Sequence, residues 1–304
     1  MSELLVLDSI SKAHELLGLK KPTHPLISVV AQKDLDFSIV PKGMRVRIDL
    51  FQIWMKSGVE CQIGYGRNTY DFDEGTLAFV KPGQVISSVG SEGQVKGEAE
   101  GYVVMFHPDL IRKSALSTII DQYAFFNYEV HEALHISDAE KLILHDIIRK
   151  MQAEIGQNID QHSQALIISN LELFLGYCTR YYDRQFYTRT NLNKDLITQF
   201  NDVLKDYYQT GKQSELGIPT VSFCAKELNM SANYLGDLLK KETGMNTQEH
   251  IQDFVVNKAK NKLLGTTDSL SEIAYGLGYE YPQHFSKVFK KKVGQTPSAY
   301  RQLN

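Results

Sequence analysis

The stretch Leu270-Ser-Glu-Ile-Ala-Tyr-Gly-Leu-Gly-Tyr279, continued by Tyr281-Pro-Gln-His-Phe-Ser-Lys-Val-Phe-Lys-Lys-Lys-Val-Gly294, decides the fold of the last third of this chain. Ser269 and Glu272 form an S-x-x-E capping box, so a helix is expected to start there. Leu270, Ile273, Ala274 and Leu277 recur at helical spacing and make one apolar face. Gly278 suits a tight turn, where a positive φ is often needed. Pro282 sits early in the next helix, where a missing N–H costs little. Phe285, Val288 and Phe289 supply an inward face, leaving Gln283, His284, Ser286, Lys287 and Lys290 outside. Lysines in the last turn suit the negative end of the helix dipole, and Gly294 suits the cap beyond it. Thr296-Pro297 then reads as the start of a short last helix.

The pattern occurs twice. Shifted by 49 residues, Ala274 and Leu277 fall on Ala225 and Leu228. Shifted by 50, Phe285, Phe289, Lys290, Lys291 and Gly294 fall on Leu235, Leu239, Lys240, Lys241 and Gly244. The change of offset lies between the two sets, where a turn is expected. Thr220 can cap a helix carrying Val221, Ala225 and Leu228; Ser231 can cap the next, with Leu235, Leu238 and Leu239 inward. Its outward positions are Asn233, Gly236, Asp237 and Lys240. Between the copies, Asn246 and Glu249 make a capping pair, and Ile251, Phe254, Val255, Ala259 and Leu263 line one face as far as Gly265. That helix is long enough to hold two modules at a fixed spacing. Two helix-turn-helix units in tandem suggest a chain that grips two neighbouring stretches of DNA groove.

The segment from about 195 to 304 resembles the DNA-binding domain of AraC/XylS-type transcription regulators. The resemblance rests on Ser271-Glu-Ile-Ala, Leu277-Gly-Tyr, His284-Phe-Ser-Lys-Val-Phe-Lys-Lys and Gly294-Gln-Thr-Pro-Ser-Ala-Tyr-Arg301, in that order and spacing. The first copy matches through Asn233-Tyr-Leu, Leu239-Lys-Lys-Glu-Thr-Gly244, Ala259-Lys and Leu263-Leu264. The family commonly has phenylalanine where Tyr279 and Leu239 stand. It has arginine where Val255 stands, and uses it for a polar contact from the linking helix. The resemblance implies base contacts from Asn233, Gly236, Asp237, Gln283, His284, Ser286 and Lys287; the lysines crowding each helix end give Ser231, Lys240, Ser286, Lys290 and Lys291 as the candidates for phosphate contacts. Asn and Gln can bond adenine edges, Lys can bond guanine, and Asp can accept from cytosine. The implied partners are promoter DNA and, for an activator, RNA polymerase.

Charge is unevenly placed. Residues 1–190 hold 19 Lys and Arg against 24 Asp and Glu, whereas residues 191–304 hold 14 against 12. From Tyr281 to Asn304 there are five basic residues and no acidic one, so an electrostatic footprint for phosphates is local. Alone, such lysines read as a solvated helix end; inside this motif they read as a grip. Cys61, Cys178 and Cys224 are far apart and make no C-x-x-C pair, which suits reduced, buried thiols in the cytoplasm. Met1-Ser-Glu-Leu-Leu lacks the pattern of a signal peptide, and no apolar stretch approaches membrane-spanning length.

The first two-thirds reads differently. Leu26 to Val30, Val46 to Met55, Gln62 to Tyr70, Leu77 to Val80 and Tyr102 to Phe106 are short β-type runs separated by turn signals. They predict a sandwich or barrel, and the resemblance implies a cupin-like jelly roll that binds a small effector. The expected organisation is a cupin-like β domain over 1–135, helices for dimerisation over 136–190, and an all-α domain with two helix-turn-helix motifs over 191–304. No histidine lies between Pro25 and Phe106, while His24 and His107 flank the strands as structural residues, so no metal site is expected. No paired-carboxylate, Ser-His-Asp or glycine-rich phosphate motif stands out, and no enzyme activity or cofactor is expected.

Trp54, Tyr65, Arg67, Tyr70, Phe79 and Lys81 are the candidates for an effector pocket. Trp54 and Gln52 point one way and Ile53 and Met55 the other, and which way is inward stays open. Taken singly, Trp54 and Phe79 read as core aromatics and Arg67 as solvated. Ser137 and Glu140 open a helix carrying Leu144, Ile147, Ile148, Met151 and Ile155. A second helix carries Leu171, Phe174, Leu175 and Cys178 on one stripe and Leu173 beside it. Leu171, Leu173, Phe174 and Cys178 are expected at a homodimer interface, with barrel coverage as the plainer reading. Two other functions fit the same residues: a cupin-type enzyme or sugar-binding protein with an appended DNA-binding domain, and a protein-binding scaffold.

Overall fold

Alternating β-branched and aromatic residues put much of the N-terminal chain into short strands. A computed structural model of the chain describes residues 4–36, 40, 44–56, 63–65, 68–70, 75–87, 101–128, 132–188 and 190–302. They form two units, Met1–Tyr187 and Thr188–Asn304. The first contains, in order, β1 (Leu4–Leu7), α1 (Ile10–Leu16), β2 (Ile27–Ala31), β3 (Arg45–Ile48), β4 (Phe51–Lys56), β5 (Ile63–Tyr65), β6 (Asn68–Tyr70), β7 (Thr76–Val80), β8 (Gln84–Ser87), β9 (Tyr102–Phe106), α2 (Leu116–Ile119), β10 (Leu134–His135), α3 (Asp138–Ile155) and α4 (Ser163–Thr188).

Five strands make one sheet in the order β10-β7-β4-β9-β2, every neighbouring pair antiparallel. A second sheet runs β1-β3-β8, with β1 parallel to β3, and β5 pairs with β6 alone. Among the described residues no sheet closes on itself, so the barrel expected from the sequence appears here as open sheets. At one edge of the larger sheet, β10 is only two residues long, too short to carry the pairing further.

β4 reads as a nearly continuous apolar run because both its faces are covered. Trp54 packs on one side with Val80, Val103 and Met105, against Ile10, Ala13, Val46 and Ile48 of α1 and β3. Gln52 is on that same side and accepts a 2.9 Å bond from the Trp54 indole N–H. Phe51, on the other side, stacks on Phe106 at 4.9 Å and meets Phe126 edge-on at 5.2 Å. Both faces of β4 are thus packed, and neither is the solvent side.

α3 starts in the expected Ser137–Glu140 capping box and buries Leu144, Ile147, Ile148, Met151 and Ile155. α4 is tied to β10 by Arg184, which donates to the His135 carbonyl at 2.7 Å and pairs with Glu140 at 2.8 Å. Leu171, Phe174 and Cys178 are fully buried inside this unit; Leu173 is 48% exposed. α3 and α4 therefore share one body with the sheets. The expected polar boundary near Arg184 to Asn193 is helical on both sides, since α4 reaches Thr188 and the next helix begins at Thr190. No helix among the described residues is long and apolar enough to cross a membrane.

The second unit contains α5 (Thr190–Gln209), α6 (Gln213–Leu216), α7 (Val221–Glu227), α8 (Ala232–Thr243), α9 (Thr247–Gly265), α10 (Leu270–Gly276), α11 (Pro282–Val293) and α12 (Pro297–Gln302). One hydrophobic core runs through it, from Phe200 and Tyr208 past Leu235, Leu239, Ile251 and Ala259 to Phe285 and Phe289.

Candidate nucleic-acid interface

The two repeats are equivalent down to their turn hydrogen bonds. In the first, the amides of Leu228 and Asn229 bond the carbonyls of Ala225 and Lys226, and Met230 N–H reaches back to Ala225 at 2.8 Å. In the second, Leu277 and Gly278 bond Ala274 and Tyr275, and Tyr279 N–H reaches back to Ala274 at 3.0 Å. Asn229 and Gly278, 49 residues apart, both have positive φ, at 54° and 90°. Asparagine and glycine are the residues that enter this region most readily, so the turn chemistry is conserved between copies although the letters differ. The extra residue is Glu280, between Tyr279 and the N-cap Tyr281, whereas Met230 runs directly into the N-cap Ser231. The 49-residue offset alone pairs Asn229 with Gly278.

Caps fix where each helix begins and ends. Ser231 Oγ accepts from Tyr234 N–H at 3.1 Å, and Thr220 Oγ1 accepts from Phe223 N–H at 3.1 Å. Asn246 and Ser269 make full capping boxes with Glu249 and Glu272. α8 and α11 both end on a left-handed glycine, Gly244 and Gly294, whose amides bond the carbonyls of Lys240 and Lys290. At α11 the N-cap is Tyr281, with no side-chain cap, and Pro282 follows.

The modules are locked together through the core. Tyr208 on α5 donates its hydroxyl to the Leu277 carbonyl at 3.0 Å, and Tyr207 donates to Gly217 at 2.9 Å. Burial pushes the Tyr208 hydroxyl well above its ordinary range, so it stays protonated as a donor. Gly278 lies so close to the 217–218 backbone that a Cβ there would come within 2.7 Å of the Gly217 carbonyl carbon. Val255 on α9 is 1% exposed inside this core.

The outward residues fall where the helical spacing predicts. On α8, Asn233 and Lys240 are exposed and Gly236 and Asp237 half-buried, beside the half-buried Ser231. On α11, Gln283, His284, Lys287, Lys290 and Lys291 are exposed and Ser286 is half-buried. Lys292 turns away and pairs with Asp253 on α9 at 2.7 Å. This removes one of the three neighbouring lysines from the outward set and leaves Lys290 and Lys291. The His284 ring sits edge-on to Tyr279 at 5.7 Å.

Residues 224–303 match the protein family described as Helix-turn-helix domain. This part of the chain is an AraC-type helix-turn-helix domain. The chain is 26% identical over 248 residues to the uncharacterized HTH-type transcriptional regulator YtdP of Bacillus subtilis, a match covering 70% of this chain and 32% of the relative. It is 31% identical over 99 residues to the HTH-type transcriptional activator RhaR of Yersinia pseudotuberculosis, covering 32% of this chain and 34% of the relative. It thus spans about a third of the length of either relative. The C-terminal domain of AraT, a response regulator from Geobacillus stearothermophilus, is similar at 30% identity, with 34% of this chain and 84% of that chain covered and a TM-score of 0.30.

Outside the AraC-type domain, two of the effector candidates, Trp54 and Phe79, lie on opposite faces of the sheet. Trp54 faces α1 and β3, whereas Phe79, on the opposite face of the sheet, packs on Phe125 at 4.4 Å and Phe126 at 5.4 Å. The β4–β7 register explains this, because Trp54 lies opposite Ala78 and Ile53 opposite Phe79. Lys81 lies just past β7 and bonds Asn127. Tyr65 and Tyr70 belong to the β5–β6 hairpin, and Arg67 lies outside the described residues. His24 and His107 serve local backbone bonds, accepting at 3.1 Å from Leu26 and Asp109 respectively. No cluster of three potential metal ligands occurs among the described residues.

Proposed function

We propose that this chain is a DNA-binding transcription regulator, an activator, that reads two successive major grooves with α8 and α11. The observation that carries the reading is the pair of turns with matching hydrogen bonds built on one shared core, each presenting a polar helix face outward. A single core lets the recognition helices dock as one body, with their entry points about 34 Å apart for one turn of duplex. Asn233, Gly236, Asp237, Gln283, His284 and Lys287 face base edges; Ser231, Lys240, Ser286, Lys290 and Lys291 face phosphates. Ser231 Oγ accepts from Tyr234 N–H as the cap of α8, which holds this residue at the start of the recognition helix. The activator role is supported by the similarity to RhaR, which is named as a transcriptional activator; contact with RNA polymerase belongs to that role. The N-terminal unit takes the regulatory part, through a small effector and a homodimer contact. The cytoplasm is the compartment this reading requires.

Selection from randomised duplexes tests it. The expected product is a site with two preferred patches one helical turn apart. Recovery of no preferred sequence would overturn the reading in favour of a protein-binding scaffold.

A further inference from the structure

A cleft of about 360 Å3 opens in the N-terminal unit where the chain leaving β7 meets residues 108–127. It lies apart from the Trp54 face of the sheet. Its apolar lining includes Phe51, Ile111, Ile120 and Phe126, all buried, with the Phe51 and Phe126 rings in edge contact. The charged groups lining it are Lys81, Arg112 and Asp121, two cations to one anion. Lys81 is half-buried, and one of its three ammonium hydrogens is spent on the Asn127 amide oxygen. Arg112 pairs at 2.7 Å with Asp109, but both side chains are largely in water, so that pair is weak and easily exchanged. Tyr123 also lines the cleft, and burial raises its hydroxyl above the ordinary range, so it remains a donor.

We propose that this cleft binds a small organic acid, with its apolar body on the Phe51–Phe126 lining and its carboxylate at Lys81 and Arg112. A volume near the lower end for small-molecule sites, apolar walls and a few polar groups are the features of such a site. An apolar lining gives an inorganic anion nothing to pack on. A sugar would leave most of its hydroxyls without partners there, at a cost for each one desolvated. An acid with a ring or branched body uses both parts of the cleft.

Calorimetric titration of the full chain with phenylacetate, and with its neutral isostere phenylacetamide, tests the proposal without DNA. Phenylacetate is expected to bind at least about tenfold more tightly than the amide, because charge-assisted bonds are the stronger ones. Lys81→Met should cancel that preference. Arg112→Gln, at a side chain 73% exposed, should reduce it without touching the fold. Equal affinity for acid and amide, no binding of either at millimolar concentration, or both variants binding the acid like the parent would each overturn the proposal. DNA selection is a separate measurement, so failure here and failure of the regulator reading are told apart. If both hold, phenylacetate should shift the DNA affinity of the parent and leave that of Lys81→Met unchanged.

Discussion

At the scale of single residues, the two recognition helices are chemically unequal. α11 presents Gln283, His284, Lys287, Lys290 and Lys291, whereas α8 presents Asn233, Gly236, Asp237 and Lys240. Gly236 reads nothing with a side chain, and Asp237 repels phosphate. The first module is therefore expected to read few bases, chiefly through Asn233. Asn233→Ala should relax preference at one or two base positions, at a cost of about 1–3 kcal/mol, seen in randomised-site binding. An unchanged preference would remove Asn233 from the base-reading set. Lys290→Ala should weaken binding to all sequences alike and flatten the salt dependence by about one unit of slope. A loss confined to one base position would show that Lys290 reads a base instead. The lysine run shows how far sequence carries such arguments. Spacing alone predicts that consecutive lysines cannot all face one way. That Lys292 is the one diverted depends on Asp253, 39 positions earlier, arriving beside it across α9 and α11.

At the scale of elements, the helix-turn-helix units were legible because their signals are local. Caps, apolar spacing and left-handed glycines act within a few residues of one another. The β region was less legible because its decisive facts are pairings. Trp54 and Phe79 both read as pocket candidates, and only the register of β4 on β7 puts them on opposite faces. Likewise, both faces of β4 are covered, so alternation had little polar contrast to work with. In the turns, two glycines separate conformational strain from steric contact. Gly278 and Gly294 have φ of 90° and 85°, but only Gly278 meets backbone, at 2.7 Å from Gly217. Gly294→Ala should therefore cost about 1–2 kcal/mol, the ordinary penalty of a left-handed Cβ. Gly278→Ala should cost more, roughly 3 kcal/mol or above, because the 217–218 backbone must also move. Denaturant unfolding of the two variants gives the comparison. Equal losses would mean that the close approach is absorbed without strain.

At the scale of the whole molecule, what matters is which apolar surface the chain leaves uncovered. The stripe Leu171, Phe174, Cys178 looked like an interface from spacing, but it is consumed by the core of its own unit. Spacing shows that a helix has an apolar side and cannot show what covers it. The surplus is on the other side of α4, where Leu166 and Leu173 are 49% and 48% exposed. One turn on, a Cβ added at Gly176 would meet nothing within 4 Å, so a second helix could approach the backbone closely there. A two-fold pairing of α4 with its copy would cover this face, and two-fold dimers are the commonest oligomers. Such a dimer carries four helix-turn-helix units and gains affinity for duplicated half-sites by tethering, about a hundredfold over a single site. Leu173→Lys sets two like charges near the axis, so it should yield a folded monomer that loses that gain but binds a single site like the parent. Sedimentation at micromolar concentration, with and without paired-site DNA, reads the outcome. A parent chain that sediments as a monomer in both would show that Leu173 covers no partner.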